Sequence, residues 1–227
     1  LVLTVAPLAL MQAIAIFFTA KYIPDHTGID TSHHEEAKPK RHWFSWSLVV
    51  FGVGILGMTL GEGGAGDWLA IGFKDGYGVS DASAGISFSL FFVGMVIVRY
   101  FGGNIADRIG KGRALQLLAA AGVLGIILTI VATPNLQLGW LGAILWGAGV
   151  ALGFPLFLSA AGEGENSARR VSFVAAWGYG AFLAGPPLLG FVADHVGILN
   201  MYYVIAAFMV VAFFASTQVK TSSNVRK

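Results

Sequence analysis

The sequence contains no cysteine and little charge. Its 227 residues include 14 Lys and Arg and 12 Asp and Glu, so charged residues form 11% of the chain. The missing cysteines exclude a disulfide scaffold and any Cys-ligated metal site. A soluble domain carries about 25% charged residues, so this composition excludes an ordinary water-soluble globule.

Catalytic and nucleotide-binding patterns are also missing. The sequence has no GxSxG, no HExxH and no Walker loop, which disfavours a membrane enzyme and an ATP-driven pump. No basic, aromatic-interleaved domain suggests nucleic-acid binding. The adjacent His33 and His34 lack partners at metal-ligand spacing. We therefore expect no enzyme activity, cofactor, metal site or nucleic-acid partner.

Long apolar runs are abundant instead. Hydrophobic residues form 56% of the chain, and 31 residues are Gly, which lets membrane helices approach closely. A helix needs about 20 apolar residues to cross the hydrocarbon, and the runs lack the two-residue alternation of a β-barrel. The sequence predicts an all-α transmembrane bundle with spans over residues 1–20, 46–73, 82–102, 115–132, 138–161, 171–193 and 199–217.

The Lys and Arg residues indicate which side of the bilayer each connection faces. Twelve of the 14 lie in alternate connections, which leaves Lys74 in the others and Arg99 within a span. By the positive-inside rule, the basic connections 21–45, 104–113 and 162–170 and the tail 220–227 are cytoplasmic. The predicted organisation is a helix over 1–20, a linker over 21–45, a six-helix bundle over 46–219 and a tail over 220–227.

A charged motif, Gly103-Asn-Ile-Ala-Asp107-Arg108-Ile-Gly110-Lys111-Gly-Arg113, occupies one basic connection. Its cations cannot enter the hydrocarbon, and Gly103 ends the preceding helix. Glu163 follows the fifth of the seven predicted spans and is a candidate partner for Lys111 or Arg113. One interpretation is a loop that only sets topology. The other is a conformational latch made of Gly103, Asp107, Arg108, Gly110, Lys111, Arg113, Glu163 and Arg99.

Glu62 is the main candidate for a substrate or proton site. It lies in an apolar span, ~22 Å from the predicted start, where a carboxylate needs a cavity or a partner. Each neighbouring Gly costs a helix about 0.5–1 kcal/mol relative to Ala, so the run predicts a hinge or very close packing. The predicted hinge residues are Gly61, Gly63, Gly64, Gly66, Pro155, Pro186 and Pro187. A hydrogen bond that only packs a neighbouring helix is the alternative for Glu62.

Arg99 lies about four residues, or ~6 Å, from the predicted cytoplasmic end of its span, so its guanidinium can reach the interface. We expect it to join the charged cluster near Asp107. It lies too far along the helix axis for a direct partnership with Glu62 to be assumed.

Four further residues are candidate substrate or coupling contacts: Asp67, Trp146, Trp177 and Tyr179. Asp67 is alternatively a plain interfacial charge. Trp146 has the stronger claim of the two tryptophans, because nearby glycines leave space around it, although buried packing is the commoner role. Convergence of Glu62, Trp146 and Trp177 on one concave face would favour transport, whereas separate faces would count against it.

The charged motif has the form G-x-x-x-D-R-x-G-K/R and resembles the loop signature of the major facilitator superfamily. In that family the signature follows helix two and, more weakly, helix eight. Gly185-Pro-Pro-Leu-Leu-Gly190 resembles the helix-eleven pattern. The resemblance implies that this chain is a C-terminal half, helices six to twelve, whose N-terminal half is missing.

A finer resemblance concerns Glu62-Gly-Gly-Ala-Gly-Asp67-Trp68, which is similar to a stretch of the rhizopine-permease-like bacterial subfamily. It implies a small polar solute that is sugar- or polyol-like. We therefore expect secondary active transport of such a solute across the bacterial inner membrane by alternating access. Proton coupling through Glu62 is a further extension of this hypothesis. The alternative is a non-transporting membrane sensor or assembly subunit, which predicts Glu62 packed against protein without a water-accessible cavity.

A six-helix half leaves its pathway-lining face uncovered. We therefore predict that liposomes containing only this chain take up no solute. Uptake above that of protein-free liposomes would contradict the interpretation as a half.

Overall fold

The computed structural model describes residues 44–163 and 165–219. The predictions for the helix over 1–20, for nearly all of the linker and for the tail lie outside the described residues. Within them, the chain forms helices joined by short turns, and no strand is present. The predicted all-α fold class is therefore confirmed.

The helices follow one another with little intervening chain. In order they are α1 (Trp46–Ile71), a π-helical turn (Gly72–Gly76), α2 (Asp81–Ile109), α3 (Lys111–Val131), α4 (Leu136–Val150), α5 (Gly153–Ala161), α6 (Ser167–Val196) and α7 (Ile198–Ser216).

These helices make a multi-pass membrane protein. Five stretches of the described chain are long and apolar enough to cross a bilayer: Trp46–Gly76, Asp81–Ile109, Lys111–Val131, Leu136–Ala161 and Ile198–Ser216. The fourth joins α4 and α5 into one broken span. The 30-residue α6 has the length but falls short on apolar composition. Each of the six segments predicted from residue 46 onwards is helical.

The charged motif is helical, which corrects the predicted loop over 104–113. Helix α2 continues through Asp107 to Ile109, and α3 begins at Lys111. Gly110 alone joins them, at φ 89° and ψ 144°, a conformation that favours glycine because it has no Cβ. Gly103 therefore lies inside α2 rather than at its end, and a Cβ there would meet no atom within 4 Å.

Glycines bring the helix backbones into contact. Helix α4 packs between α2 and α3, while α1 packs between α6 and α7, and α7 also packs against α3. A Cβ at Gly147 would overlap the backbone carbonyl of Phe91, and one at Gly149 would overlap the backbone of Gly122. Such close approach is typical of membrane helix pairs, where van der Waals packing drives association.

Gly147→Ala should destabilise the protein, because the added methyl meets rigid backbone rather than a mobile side chain. Overpacking of this kind costs about 1–3 kcal/mol. Gly85→Ala in α2 is the matched control, since a Cβ at Gly85 meets nothing within 4 Å. Denaturant unfolding in bicelles measures both variants. Equal stability of the two would contradict the packing described here.

Candidate functional site

An open cleft of about 390 Å³ lies beside the break between α4 and α5. Residues from α1, α2, the break, α5 and α6 line it. They are Glu62, Arg99, Ala151, Leu152, Phe154, Pro155, Tyr179 and Phe182. Two of the predicted substrate residues, Glu62 and Tyr179, are among them.

Glu62 and Arg99 form an ion pair inside the cleft. Arg99 Nη2 lies 2.8 Å from Glu62 Oε1, and the side chains are 48% and 21% exposed, respectively. A charged group within a membrane span is costly unless it is paired or faces a water-filled cavity. Here the two charges are paired, and the pair also borders the open cleft.

Arg99 also contacts the break in the α4–α5 span. Its Nε donates to the carbonyl oxygen of Ala151 at 3.0 Å. In a continuous helix the N–H of residue 155 would donate to that carbonyl, but Pro155 has none. Leu152, at φ −114° and ψ 8°, has left the helical conformation. The guanidinium thus satisfies a carbonyl that the sequence itself leaves without a helical donor.

Unused hydrogen-bonding groups remain in the cleft. Within the described part of the chain, no protein group bonds Glu62 Oε2 or the other guanidinium N–H groups of Arg99. A ligand entering the cleft would therefore meet both a strong acceptor and strong donors.

Aromatic side chains form another part of the cleft lining. Tyr179 of α6 is 64% exposed, and its ring lies edge-on to that of Phe154, with centroids 5.6 Å apart. Gly178 makes room for the Phe154 ring, which lies 2.7 Å from where a Cβ would be. The cleft therefore combines a charge-balanced polar pair with exposed ring faces.

The expectation that Arg99 lies far from Glu62 was wrong. It assumed that α2 ends near Gly102, whereas the helix runs to Ile109. Arg99 is therefore ten residues, or ~15 Å, from the helix end. Within the described residues its carboxylate partner is Glu62 rather than Asp107. Two sequence signals pointed to the contacts of Arg99. An arginine inside an apolar run needs a carboxylate partner such as Glu62. Pro155 leaves the carbonyl of Ala151, four residues earlier, without its helical donor.

Trp146 does not reach the cleft. It is fully buried, donates from Nε1 to the Gly61 carbonyl at 3.0 Å and packs edge-on against Phe91 and Tyr202. The neighbouring glycines do not leave space for a ligand, because the backbones of α2 and α3 fill it.

Trp177 and Asp67 also lie elsewhere. Trp177 lines a separate apolar cavity of about 360 Å³ between α1, α6 and α7. Asp67 is exposed and does not line the cleft. Glu62, Trp146 and Trp177 therefore do not converge on one face, and this outcome counts against transport. Arg99 and Tyr179 accompany Glu62 instead.

Of the two partners predicted for Glu163, Lys111 and Arg113, it is Lys111 that forms the ion pair. Lys111 Nζ lies 2.6 Å from Glu163 Oε1, which joins the start of α3 to the turn after α5. Asp107 and Arg108 are exposed on the last turn of α2. Neither these two nor Arg113 forms an ion pair within the described ranges. The geometry thus narrows the predicted latch to one ionic contact, whose role stays a prediction.

The predicted hinge residues differ in their surroundings. Helix α1 is unbroken through its glycine run, where Gly61 packs against Met209 and Gly64 against Ile205. Gly61, Gly63 and Gly64 therefore serve close packing in this conformation, whereas a Cβ at Gly66 would meet nothing within 4 Å. Pro186 and Pro187 lie inside a continuous α6. Pro155 is the hinge candidate that lies at a visible break.

Comparison with known proteins identifies relatives. Residues 68–226 match the family model of the Major Facilitator Superfamily. The chain is 29% identical over 163 residues to an uncharacterized transporter, y4wD, of Sinorhizobium fredii, covering 71% of this chain and 43% of that protein. It is 27% identical over 166 residues to an uncharacterized MFS-type transporter of Yersinia pestis, covering 72% of this chain and 43% of that protein.

Two further matches add coverage. The membrane protein MosC of Rhizobium meliloti is 25% identical over 200 residues, which is 87% of this chain and 49% of that protein. The crystal structure of the POT family transporter PepTSo matches with a TM-score of 0.68 at 16% identity, over 81% of this chain and 40% of that one, and it shows the fold alone. The chain spans less than half the length of each of these proteins.

Trp146→Ala should destabilise the protein strongly, because it empties a fully enclosed site, at a cost of about 3–5 kcal/mol. Tyr179→Ala removes an exposed ring and should change the free energy of unfolding by no more than about 0.5 kcal/mol. Thermal and denaturant unfolding of the purified variants measure the difference. Comparable losses in both variants would contradict the assignment of Trp146 to the core and Tyr179 to the cleft.

Proposed function

The chain belongs to the major facilitator superfamily, and on that premise we propose that it forms the C-terminal half of a secondary transporter. The family consists of transporters rather than enzymes. In this proposal a small polar solute crosses the membrane by alternating access, and the cleft at Glu62 and Arg99 is part of its path. The main support for the proposal is that the Glu62–Arg99 ion pair lines an open cavity within a bundle of membrane helices.

The open cleft favours transport over a sensor or assembly subunit. The sensor hypothesis expects Glu62 to be packed against protein, whereas Glu62 borders a cavity of about 390 Å³. A buried packing role needs no such space, and small-molecule sites are concave with a few convergent polar groups.

The lining of the cleft supports a sugar- or polyol-like solute. Glu62 and Arg99 together carry no net charge, so the cleft has no unpaired charge that would select a cationic or an anionic solute. Hydroxyl groups can donate to the free carboxylate oxygen and accept from the guanidinium. The exposed face of Tyr179 can cover the apolar face of a ring-shaped solute.

Proton coupling through Glu62 is the finer part of the proposal. A carboxylate that alternates between an ion pair with Arg99 and a protonated form can tie proton movement to solute binding. The arrangement supplies both components, because the Arg99 guanidinium stays charged and Glu62 is open to the cleft.

An N-terminal half would cover the faces that this chain leaves open. Large apolar side chains are exposed on α2 and α6, including Tyr100 at 78% and Leu183 at 82%. The chain also spans 43% to 49% of the three relatives. We propose that a second set of helices packs against these faces and encloses the cleft as a central pathway.

The placement in the membrane follows from charge. Lys111, Arg113, Arg169 and Arg170 lie at one end of the bundle, which the positive-inside rule places in the cytoplasm of a bacterial inner-membrane protein. At that end the Lys111–Glu163 pair would act as the latch that favours one conformation. An exposed pair of this kind contributes at most about 1 kcal/mol, which suits a contact that must break in each cycle.

Glu62→Gln in the full-length transporter should abolish proton coupling while solute still binds. Gln resembles the protonated carboxyl at every pH, so lowering the external pH should no longer accelerate uptake. Proteoliposomes loaded with a pH indicator and supplied with labelled polyols or sugars report the proton-to-solute ratio.

Asp75→Asn provides the matched control, because Asp75 is an exposed carboxylate outside the cleft. It should keep the ratio of the unmodified protein. An unchanged ratio in Glu62→Gln would eliminate the coupling role, and saturable uptake of none of the polyols or sugars would overturn the proposed solute class.

A further inference from the structure

The break between α4 and α5 is built into the sequence. Pro155 has no N–H for the carbonyl of Ala151, and its ring crowds that same carbonyl. Neighbouring helices fit closely around the break, because Gly153 faces Met58 of α1 and Gly102 of α2 faces the side chain of Leu152. The span therefore bends at a defined point that α1 and α2 both touch.

Arg99 connects this bend to the cleft. One guanidinium donates from Nη2 to Glu62 and from Nε to Ala151, at 2.8 Å and 3.0 Å. Because a guanidinium is planar and rigid, the two bonds cannot be adjusted separately. A change in what Glu62 binds therefore alters the donor that holds the Ala151 carbonyl.

We infer that Arg99 is a positioning residue that transmits the state of Glu62 to the bend at Ala151–Leu152. When a solute hydroxyl or a proton occupies Glu62, the ion pair weakens and the guanidinium moves. The Ala151 carbonyl then loses its donor, and α5 is free to swing relative to α4. The inference rests on the proposed function only in taking the cleft as the solute path.

Helix α5 connects the bend to the Lys111–Glu163 ion pair. It has nine residues and ends at Ala161, two residues before Glu163, whose carboxylate pairs with Lys111 at 2.6 Å. A nine-residue helix is about 14 Å long. A bend at Leu152 therefore moves the turn that carries Glu163, and occupancy of the cleft is linked to the ion pair at the basic end.

Spin labels on either side of the break test the inference in the full-length protein. Leu141 of α4 and Ser159 of α5 are exposed, and these 227 residues contribute no native cysteine. They are 18 residues apart, which in a straight α-helix places them on one face at ~27 Å. The bent span should give a shorter distance, and Pro155→Ala should lengthen it towards the straight value.

The decisive comparison is a cycle of variants with and without Pro155. Arg99→Lys keeps a charge for Glu62 but loses the Nε bond, and Glu62→Gln loses the ion pair. Each should shift or broaden the Leu141–Ser159 distance distribution when Pro155 is present. Neither should do so in the Pro155→Ala background, where Ala151 has a helical donor. Arg169→Gln, which removes an exposed charge from α6, should leave the distribution unchanged in both backgrounds.

Two results would overturn the inference: an unchanged distribution in Arg99→Lys and Glu62→Gln, or equal shifts with and without Pro155. If a single-charge variant fails to fold, Glu62→Gln combined with Arg99→Gln removes both charges and must give the same dependence on Pro155. The distances need no transported solute, so failure to find transport would reject the proposed function alone.

Transport kinetics supply a second readout. Because Arg99→Lys leaves a cation beside Glu62, solute binding should persist while the conformational step slows. Because Lys keeps a cationic donor for the solute but lacks the Nε bond to Ala151, we expect kcat to fall by about tenfold while KM rises by less. A rise in KM at constant kcat would instead make Arg99 a simple solute contact and would contradict the positioning role.

Discussion

The site depends on one constraint: Glu62 and Arg99 place two opposite charges within membrane-spanning helices. The hydrocarbon offers no water to solvate either group, so Glu62 and Arg99 must pair or border a cavity. They do both, at 2.8 Å and beside an open cleft. Within the described ranges Glu62 is the carboxylate that pairs with Arg99, so this contact joins α1 to α2. The same guanidinium then reaches the break in the α4–α5 span.

Close packing elsewhere makes this arrangement rigid. The contact of α4 with α2 and α3 passes through Gly147, Gly149 and Gly122, so backbone meets backbone with little side chain between. Trp146 is fully buried and packs edge-on against Phe91 and Tyr202. A bundle packed in this way resists gradual deformation. Movement is expected at discrete points, and the break at Leu152 is one such point.

Hydropathy predicted where the helices from Trp46 onwards lie but not where they end. Each apolar run from Trp46 onwards lies over helix, although the run 138–161 is broken into α4 and α5. The position of Glu163 predicted Lys111 or Arg113 as its partner, and Lys111 is the one that pairs with it. The end of α2 was misplaced because Asp107 and Arg108 resemble a loop in composition, although a helix can continue beyond the hydrocarbon. That error displaced Arg99 by about two turns. Trp146 was misjudged because small residues beside an aromatic ring can admit a neighbouring backbone as readily as a ligand.

The one-residue link at Gly110 has a mechanical consequence. A long loop would absorb the displacement of one helix before its neighbour responded, whereas a single glycine leaves no slack between α2 and α3. Gly197 joins α6 to α7 in the same manner at the opposite end of the bundle. The two helices of each pair can therefore change the angle between them at the glycine, but a translation of one helix along its axis must move the other as well.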